Sequence, residues 1–343
     1  MSCKWVLRIK RNNVYKARLV ARGFEQKPGI DYCETYAPVI NDLLIAGSDD
    51  SEVGVVIQLL RNEFEMSKAE VANEFLGISF EYSQNKLSLG QKAYVEKVLN
   101  KFRMTDCKPS GTPLVPKSTS SDFMNGKRFH GPYRELVGAL LYLSMTTRPD
   151  ILYSVNCLSQ IQEQPTDSAW TGLKRILRYL KGTSELQLLF CKSDSDNIMI
   201  NVYVDADWGA DTYDRKSISG YIIFFNDCPV IWSVKKQTSI ALSSTEAEIL
   251  ALAKAFQDLI VLYNVTKEIL GVDNIIVSVY EDNQSAIKVI LNENNCARLK
   301  HLDIKLKYVR DIIKLYNIDL VYVSTENQLD DLFIKCLPKP RLC

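Results

Sequence analysis

Histidine is almost missing from this chain: His130 and His301 are the only two among 343 residues. The nine cysteines are scattered, odd in number and contain no CxxC pair. Neither a thiolate–imidazole zinc site nor a disulfide framework is expected from that inventory. Free thiols in a reducing compartment fit it instead. No apolar run is read as approaching the roughly 18 residues that a bilayer crossing takes. The longest candidate, residues 136–145 (LVGALLYLSM), reads as a buried helix. Residues 1–20 are basic and lack both an apolar core and a small-residue cleavage site, so no secretory signal is read there. No internal repeat is visible. The expectation is an intracellular, cytoplasmic protein that is not secreted and has no membrane partner.

What is present is an ordinary globular composition, 46% hydrophobic and 24% charged, which argues against intrinsic disorder. At roughly 100–200 residues per domain, the length suggests two or three domains. The net charge of +1 conceals an uneven distribution: +5 over residues 1–41, −6 over 42–75, +5 over 76–198 and −3 over 199–343. A basic start and middle suit a polyanion partner, and a carboxylate-rich end suits cations.

Strands with a tight turn at Asn12-Asn13 are expected over residues 5–23, and a second hairpin over 75–89 around Gln84-Asn85. Helical patterns follow at 91–103, 132–145, 150–162 and 168–181. Residues 109–125 are rich in Pro, Ser and Thr and read as a linker. From 198 the pattern is clearest. A strand at 198–205 is followed by a hairpin, 217–226 and 229–235, across Asn226-Asp227. A short strand is expected at 239–243, then a long helix at about 244–270 whose Ser243-Ser244-Thr245-Glu246 start fits a capping box. Strand 275–281, helices from 284 and at 302–316, strand 318–323 and a helix from 327 complete a mixed α/β sheet with helices against it.

Asp205 and Asp282 close two of these strands, and ligands of open α/β sheets collect outside the carboxyl ends of strands. Glu248 lies early in the long helix and Asp331 near the start of the last. Four carboxylates from four elements can therefore converge at one end of the sheet. Such a cluster needs cations to hold its like charges together, and all-oxygen ligation favours Mg²⁺ or Mn²⁺. Glu246 competes with Glu248 but sits where a cap is needed, and Asp330 competes with Asp331. Asp207, Asp211 and Asp214 read as solvated turn residues. Carboxylates near helix starts are also favoured by the helix dipole alone.

The strings YVDADWGAD at 203–211, DRKSISGY at 214–221, ALSSTEAEILAL at 241–252, EDNQSAI at 281–287, LKHLDIK at 299–305 and STENQLDDLFIKCLP at 324–338 then carry a resemblance. Residues 199–343 resemble the RNase H domain of copia-type long-terminal-repeat retrotransposon Pol polyproteins. The resemblance places catalytic, metal-binding carboxylates at Asp205, Glu248, Asp282 and Asp331. It implies two Mg²⁺ (or Mn²⁺) ions and hydrolysis of the RNA strand in RNA–DNA hybrids. This chain departs from the family at Asp330, where Ala is common, and at Ile334-Lys335-Cys336. His301 belongs to the matching KHLD string and reads as a polar helix-start residue.

Residues 1–191 resemble the reverse transcriptase and connection of the same family. KWVLRIKR, YKARLVARGF and DYCETYAPV match the fingers, while LLIAGSD, FLGISFEYSQNKLSLGQKAYVEKVL and AWTGLKRILRYLKGT match later parts. The resemblance makes Lys16 and Arg18 remnants of a nucleotide-binding strand. After Ala37-Pro38-Val39 the palm with its first catalytic aspartate is missing. Asp42 falls on the second position of the Tyr-Val-Asp-Asp hairpin, as a polymerase metal remnant, and Asn41 replaces the first.

The expected architecture is α/β: a C-terminal RNase H-like mixed sheet flanked by helices, preceded by an incomplete reverse transcriptase α+β remnant and a helical connection. The boundaries are 1–41 fingers fragment, 42–125 palm end and thumb remnant with linker, 126–197 helical connection and 198–343 RNase H-like domain. Residues 199–343 are expected to fold alone, and polymerase activity is expected to be lost. The competing expectation is a catalytically idle remnant that still binds nucleic acid.

Overall fold

The computed structural model describes residues 3–9 and 15–21 (backbone), 43–47, 49–64, 70–192, 197–272, 274–292 and 302–339. The chain divides into two compact units, Met1–Ala69 and Glu70–Cys343. Asp42 and His301, and the side chains of Lys16 and Arg18, lie outside the described residues.

In the first unit, β1 (Cys3–Ile9) pairs antiparallel with β2 (Tyr15–Ala21), with Ile9 opposite Tyr15. Helix α1 (Asp50–Glu63) is capped by Asp49, whose carboxylate accepts the Ser51 N–H at 2.7 Å. Not one α1 residue is buried, and Val55, Val56 and Leu59 are exposed.

The second unit opens with β3 (Glu74–Phe75), β4 (Ile78–Ser83), β5 (Lys86–Gly90) and α2 (Lys92–Lys101). Asn85 takes the positive φ of the expected turn. Helices α3 (Tyr133–Thr146), α4 (Leu152–Ser159) and α5 (Asp167–Gly182) follow, then β6 (Leu188–Cys191), which returns to pair with β5. The remaining elements are β7 (Ile198–Asp207), β8 (Ile218–Phe225), β9 (Cys228–Lys236), α6 (Ser244–Leu270), β10 (Ile275–Glu281), α7 (Gln284–Leu291), α8 (Asp303–Leu315), β11 (Asp319–Tyr322) and α9 (Asp331–Ile334).

Five strands form a mixed sheet in the order β11-β10-β7-β8-β9, parallel through the first three and antiparallel through β7, β8 and β9. Strand alternation sends the two sides of this sheet into two cores. Ile200, Val202, Val204, Tyr221 and Ile223 pack with Ala247, Ala251, Ala255 and Leu252 of α6 and with Leu306 and Val309 of α8. Ile218, Ile222, Trp232 and Val234 pack instead with Leu140, Leu143, Val155, Leu158 and Leu173 of α3–α5, and with Phe333 of α9. Helix α6 is long and apolar enough to pass for a membrane span, but its apolar face is core.

The structure departs from four expectations. Residues 199–343 do not form a closed unit, because the helical connection covers the second face of their sheet: the Trp232 indole N–H donates to Ser144 O at 2.8 Å and Asn156 Nδ2 to Val234 O at 3.3 Å. Residues 109–125 are packed in place, with Leu114 and Ser120 buried and the Lys117 N–H donating to Cys336 O at 3.2 Å. Residues 239–243 form no strand, and the last helix is the single turn α9, preceded by a short 3₁₀ turn at Thr325–Asn327.

Candidate active site

The carboxyl ends of β7 and β10 lie side by side, because the two strands are parallel neighbours. Asp205 near the end of β7, Glu248 on α6 and Asp282 just past β10 converge: one oxygen from each lies within 4.8 Å of the others. Glu248 faces inward because α6 starts from a fixed point. Ser243 Oγ accepts the Glu246 N–H at 3.2 Å, and Glu246 Oε2 accepts the Leu242 N–H at 2.8 Å. Glu246 therefore caps the helix, as its position three residues after Ser243 requires.

Asp331 belongs to the same end of the sheet. It is 2% exposed and its negative charge contributes to the rise of Asp205, but its carboxylate is ion-paired with Lys335 one turn on. Helix α9 comes this close through Gly220, which pairs with Asp205 across β7 and β8. A Cβ at Gly220 would lie 2.7 Å from Phe333 Cβ and 2.8 Å from Ile334 Cγ2, so only glycine admits α9 there. Gln328 anchors the preceding loop by donating from Nε2 to Val204 O at 2.8 Å, and Thr325 Oγ1 donates to Asp282 Oδ2 at 2.7 Å.

Two further carboxyl groups are fully buried beside the cluster, Glu281 and Asp330. Glu281 Oε1 accepts the Asn283 N–H at 3.0 Å, while its Oε2 has no hydrogen-bond partner. Neither Asp330 oxygen has one. The reading of carboxylates at strand ends passed over Glu281, although strand alternation groups residue 281 with the buried Ile275, Val277 and Val279.

Burial, then the Asp282 and Asp331 charges, pushes Asp205 up to about 7. Burial, then Glu281, Asp205, Asp282 and Asp330, raises Glu248 well above the usual carboxylate range. Glu281 and Asp330 rise for the same leading reason, removal from water. Carboxylates crowded in this way favour protons or cations. An all-oxygen set containing a buried Glu248 oxygen with no hydrogen-bond partner fits a hard divalent cation.

The acids that follow Asp205 are held more firmly than solvated turn residues would be. Asp207 Oδ1 accepts the Ile218 N–H at 2.8 Å, and burial pushes its carboxyl up to about 6. Asp211 is buried, accepts from Ser120 Oγ at 2.9 Å and, with Asp214, is ion-paired to Lys236. These acids hold the loop and its neighbours in place and leave the cluster to others.

A family model described as reverse transcriptase (RNA-dependent DNA polymerase) matches residues 40–116. The retrovirus-related Pol polyprotein of transposon TNT 1-94 from Nicotiana tabacum is 34% identical over 309 residues, covering 88% of this chain and 23% of its own. That of transposon RE2 from Arabidopsis thaliana is 28% identical over 458 aligned positions, covering 99% of this chain and 31% of its own. The chain thus spans about a quarter to a third of the length of these relatives. Among solved structures, LC11-RNase H1, isolated from compost, matches 41% of this chain and 96% of its own at 17% identity, with a TM-score of 0.32.

Proposed function

The chain belongs to the Pol polyproteins of copia-type long-terminal-repeat retrotransposons, and on that premise we propose that it hydrolyses the RNA strand of RNA–DNA hybrids and no longer polymerises DNA. The observation that carries the hydrolytic reading is the convergence of Asp205, Glu248 and Asp282 within 4.8 Å at the end of a mixed sheet. These three residues, with Asp331 beside them, would hold two Mg²⁺ or Mn²⁺ ions. When bound, such cations supply activation of a water and stabilisation of the leaving 3′ oxygen.

The protein's own contribution is placement. Ala206 N–H donates to Asp205 Oδ1 at 2.7 Å and Thr325 donates to Asp282, so both carboxylates are fixed before any ligand arrives. Lys335 pairs with the buried Asp331 beside them. Discrimination of the hybrid would rest on shape and 2′-hydroxyl contacts across a wide minor groove, with little reading of bases.

Loss of polymerisation is supported by the alignment with the RE2 relative, whose 458 positions exceed the 343 residues of this chain and so require gaps in it. Asn41 stands where the resemblance calls for an aspartate, and a neutral amide is a poor substitute at a metal site. A second reading, an idle nucleic-acid binder, draws on the basic stretch 76–198 with its net charge of +5. A 5′-labelled RNA annealed to DNA, incubated with the chain and Mg²⁺, separates the two. Discrete RNA cleavage products are expected, and salt-dependent binding without cleavage would favour the second reading.

A further inference from the structure

The loop after β7 carries a tryptophan that the carboxylate cluster does not use. Trp208 is 56% exposed, whereas Trp232 is in the core and Trp170 is stacked on Phe129 at 4.5 Å. An indole left in water on a loose loop would be unremarkable, but this one is held from both sides. Its Nε1–H donates to Ala241 O at 3.0 Å, and the N–H of the next residue, Gly209, donates to the buried Ser217 Oγ at 3.0 Å. Gly209 has φ +59, and a Cβ there would lie 3.4 Å from Arg215 O and 3.7 Å from Arg215 Nη2. That backbone conformation favours glycine. The turn thus sets an exposed arginine one residue from the ring.

The position of the ring matters as much as its exposure. Trp208 lies three residues past Asp205 on the same strand end. Its acceptor, Ala241, is followed by Leu242, whose N–H bonds the Glu246 carboxylate in the first turn of the helix that bears Glu248. Trp208 therefore bridges the two elements that bring Asp205 and Glu248 together. Ile240 and Leu242, on either side of its acceptor, are also exposed, at 53% and 73%. Lys236 pairs with both Asp211 and Asp214 and cancels one of their two charges, and Arg215 and Lys216 add two positive charges to the loop.

We propose that Trp208 is a fixed platform for the substrate backbone: its indole packs on a sugar of the RNA–DNA hybrid while Arg215 meets an adjacent phosphate, setting which phosphodiester lies over the carboxylates. An apolar ring beside a cation, continuous with an acidic cluster, matches the alternation of sugar and phosphate along a nucleic-acid strand. The inference rests on the reading of that cluster as a hybrid-cleaving site. Stacking of unpaired bases on aromatic side chains contributes about tenfold or more to affinity, and packing on a sugar is expected at the lower end of that range.

The test uses the full chain and a fluorescein-labelled RNA–DNA hybrid in Ca²⁺, with cleavage followed separately in Mg²⁺. Trp208→Ala should weaken binding by about tenfold or more and raise KM by a similar factor, with kcat at saturation little changed. Trp208→Phe, which keeps a ring, should stay within about threefold of the wild type. Arg215→Gln should lower the slope of log affinity against log salt by about one. Hybrid should also quench the indole fluorescence of the wild type, and Trp208→Phe should remove most of that quenching, a comparison that holds even if the alanine variant fails to fold. Unchanged affinity in Trp208→Ala, or full quenching in Trp208→Phe, overturns the platform. If the wild type binds hybrid without cutting it and Trp208→Ala releases it, the platform stands and the hydrolytic reading falls. If cleavage occurs with a KM indifferent to Trp208, the reverse holds.

Discussion

Glu246 and Glu248 stand two residues apart in one helix, and direction alone separates their roles. Glu246 turns back to the Leu242 N–H, whereas Glu248 turns to Asp205 and Asp282. Asp205→Asn, Glu248→Gln and Asp282→Asn should each lower hybrid cleavage by about a hundredfold or more, a loss of several kcal/mol at about 1.4 kcal/mol per tenfold. Glu246→Gln should cost about 1 kcal/mol of stability at most, read by denaturant unfolding, with cleavage retained. Loss of cleavage in Glu246→Gln alone would reverse the assignment of the helix face. The raised carboxyls also give a pH signature. Asp205 binds its proton more tightly in the fold, at about 7, than in the unfolded chain, near the ordinary aspartate value of 3.8. Between those values the native state holds more protons, so stability is greatest at the acid end and is lost as the pH rises through about 7. In EDTA the melting temperature should therefore be higher at pH 5 than at pH 8. If the cluster is a cation site, Mg²⁺ should recover most of the difference at pH 8 by binding the folded chain. A melting temperature indifferent to both pH and Mg²⁺ would count against the cluster as a cation site.

At the scale of elements, most of the fold was legible because its signals are local. The Asn226-Asp227 turn has both residues at positive φ, and the Ser243 cap starts α6 where the capping box placed it. What escaped depends on tertiary contact. Residues 109–125 have a linker's composition, yet Leu114 and Ser120 are buried because α5 and the C-terminal segment close over them. Glu281 escaped because a carboxylate at a position of core parity contradicts its own chemistry. Gly220 escaped too, since nothing in its neighbourhood reveals a helix arriving from residue 331. Its role is testable. Gly220→Ala places a methyl 2.7–2.8 Å from Phe333 and Ile334 side chains. Overpacking of that sort typically costs about 1–3 kcal/mol. Because α9 carries Asp331 and Gly220 pairs with Asp205, cleavage should fall further than stability alone explains. Full cleavage in a stably folded Gly220→Ala chain would show that α9 need not be so close.

For the whole molecule, the chain divides into compact units near residue 70 rather than at the start of the RNase H-like sheet. Residues 198–343 alone would expose Ile218, Ile222, Trp232, Val234 and Phe333, the face that α3–α5 cover. Segment 198–343 should bind a hydrophobic dye and lack a cooperative melt, whereas segment 70–343 should melt cooperatively and cut hybrid. A cooperative melt in the shorter piece would show the helical layer to be dispensable. Residues 1–69 have the opposite problem. The paired strands β1 and β2 and the fully unburied helix α1 belong, by resemblance, to a polymerase whose central sheet the sequence no longer encodes. By the resemblance, Lys16 and Arg18 are remnants of a nucleotide-binding strand, and Asp42 has Asn41 in place of its neighbouring aspartate. On that reading two of the three metal-binding carboxylates of the polymerase are missing, and Asn41→Asp alone would supply only one of them. Primer extension on poly(rA) with oligo(dT) should therefore show no incorporation above a no-enzyme control, and Asn41→Asp should leave that result unchanged. Extension by the wild-type chain would mean that a polymerase site can assemble without the palm, and the proposed loss would fail.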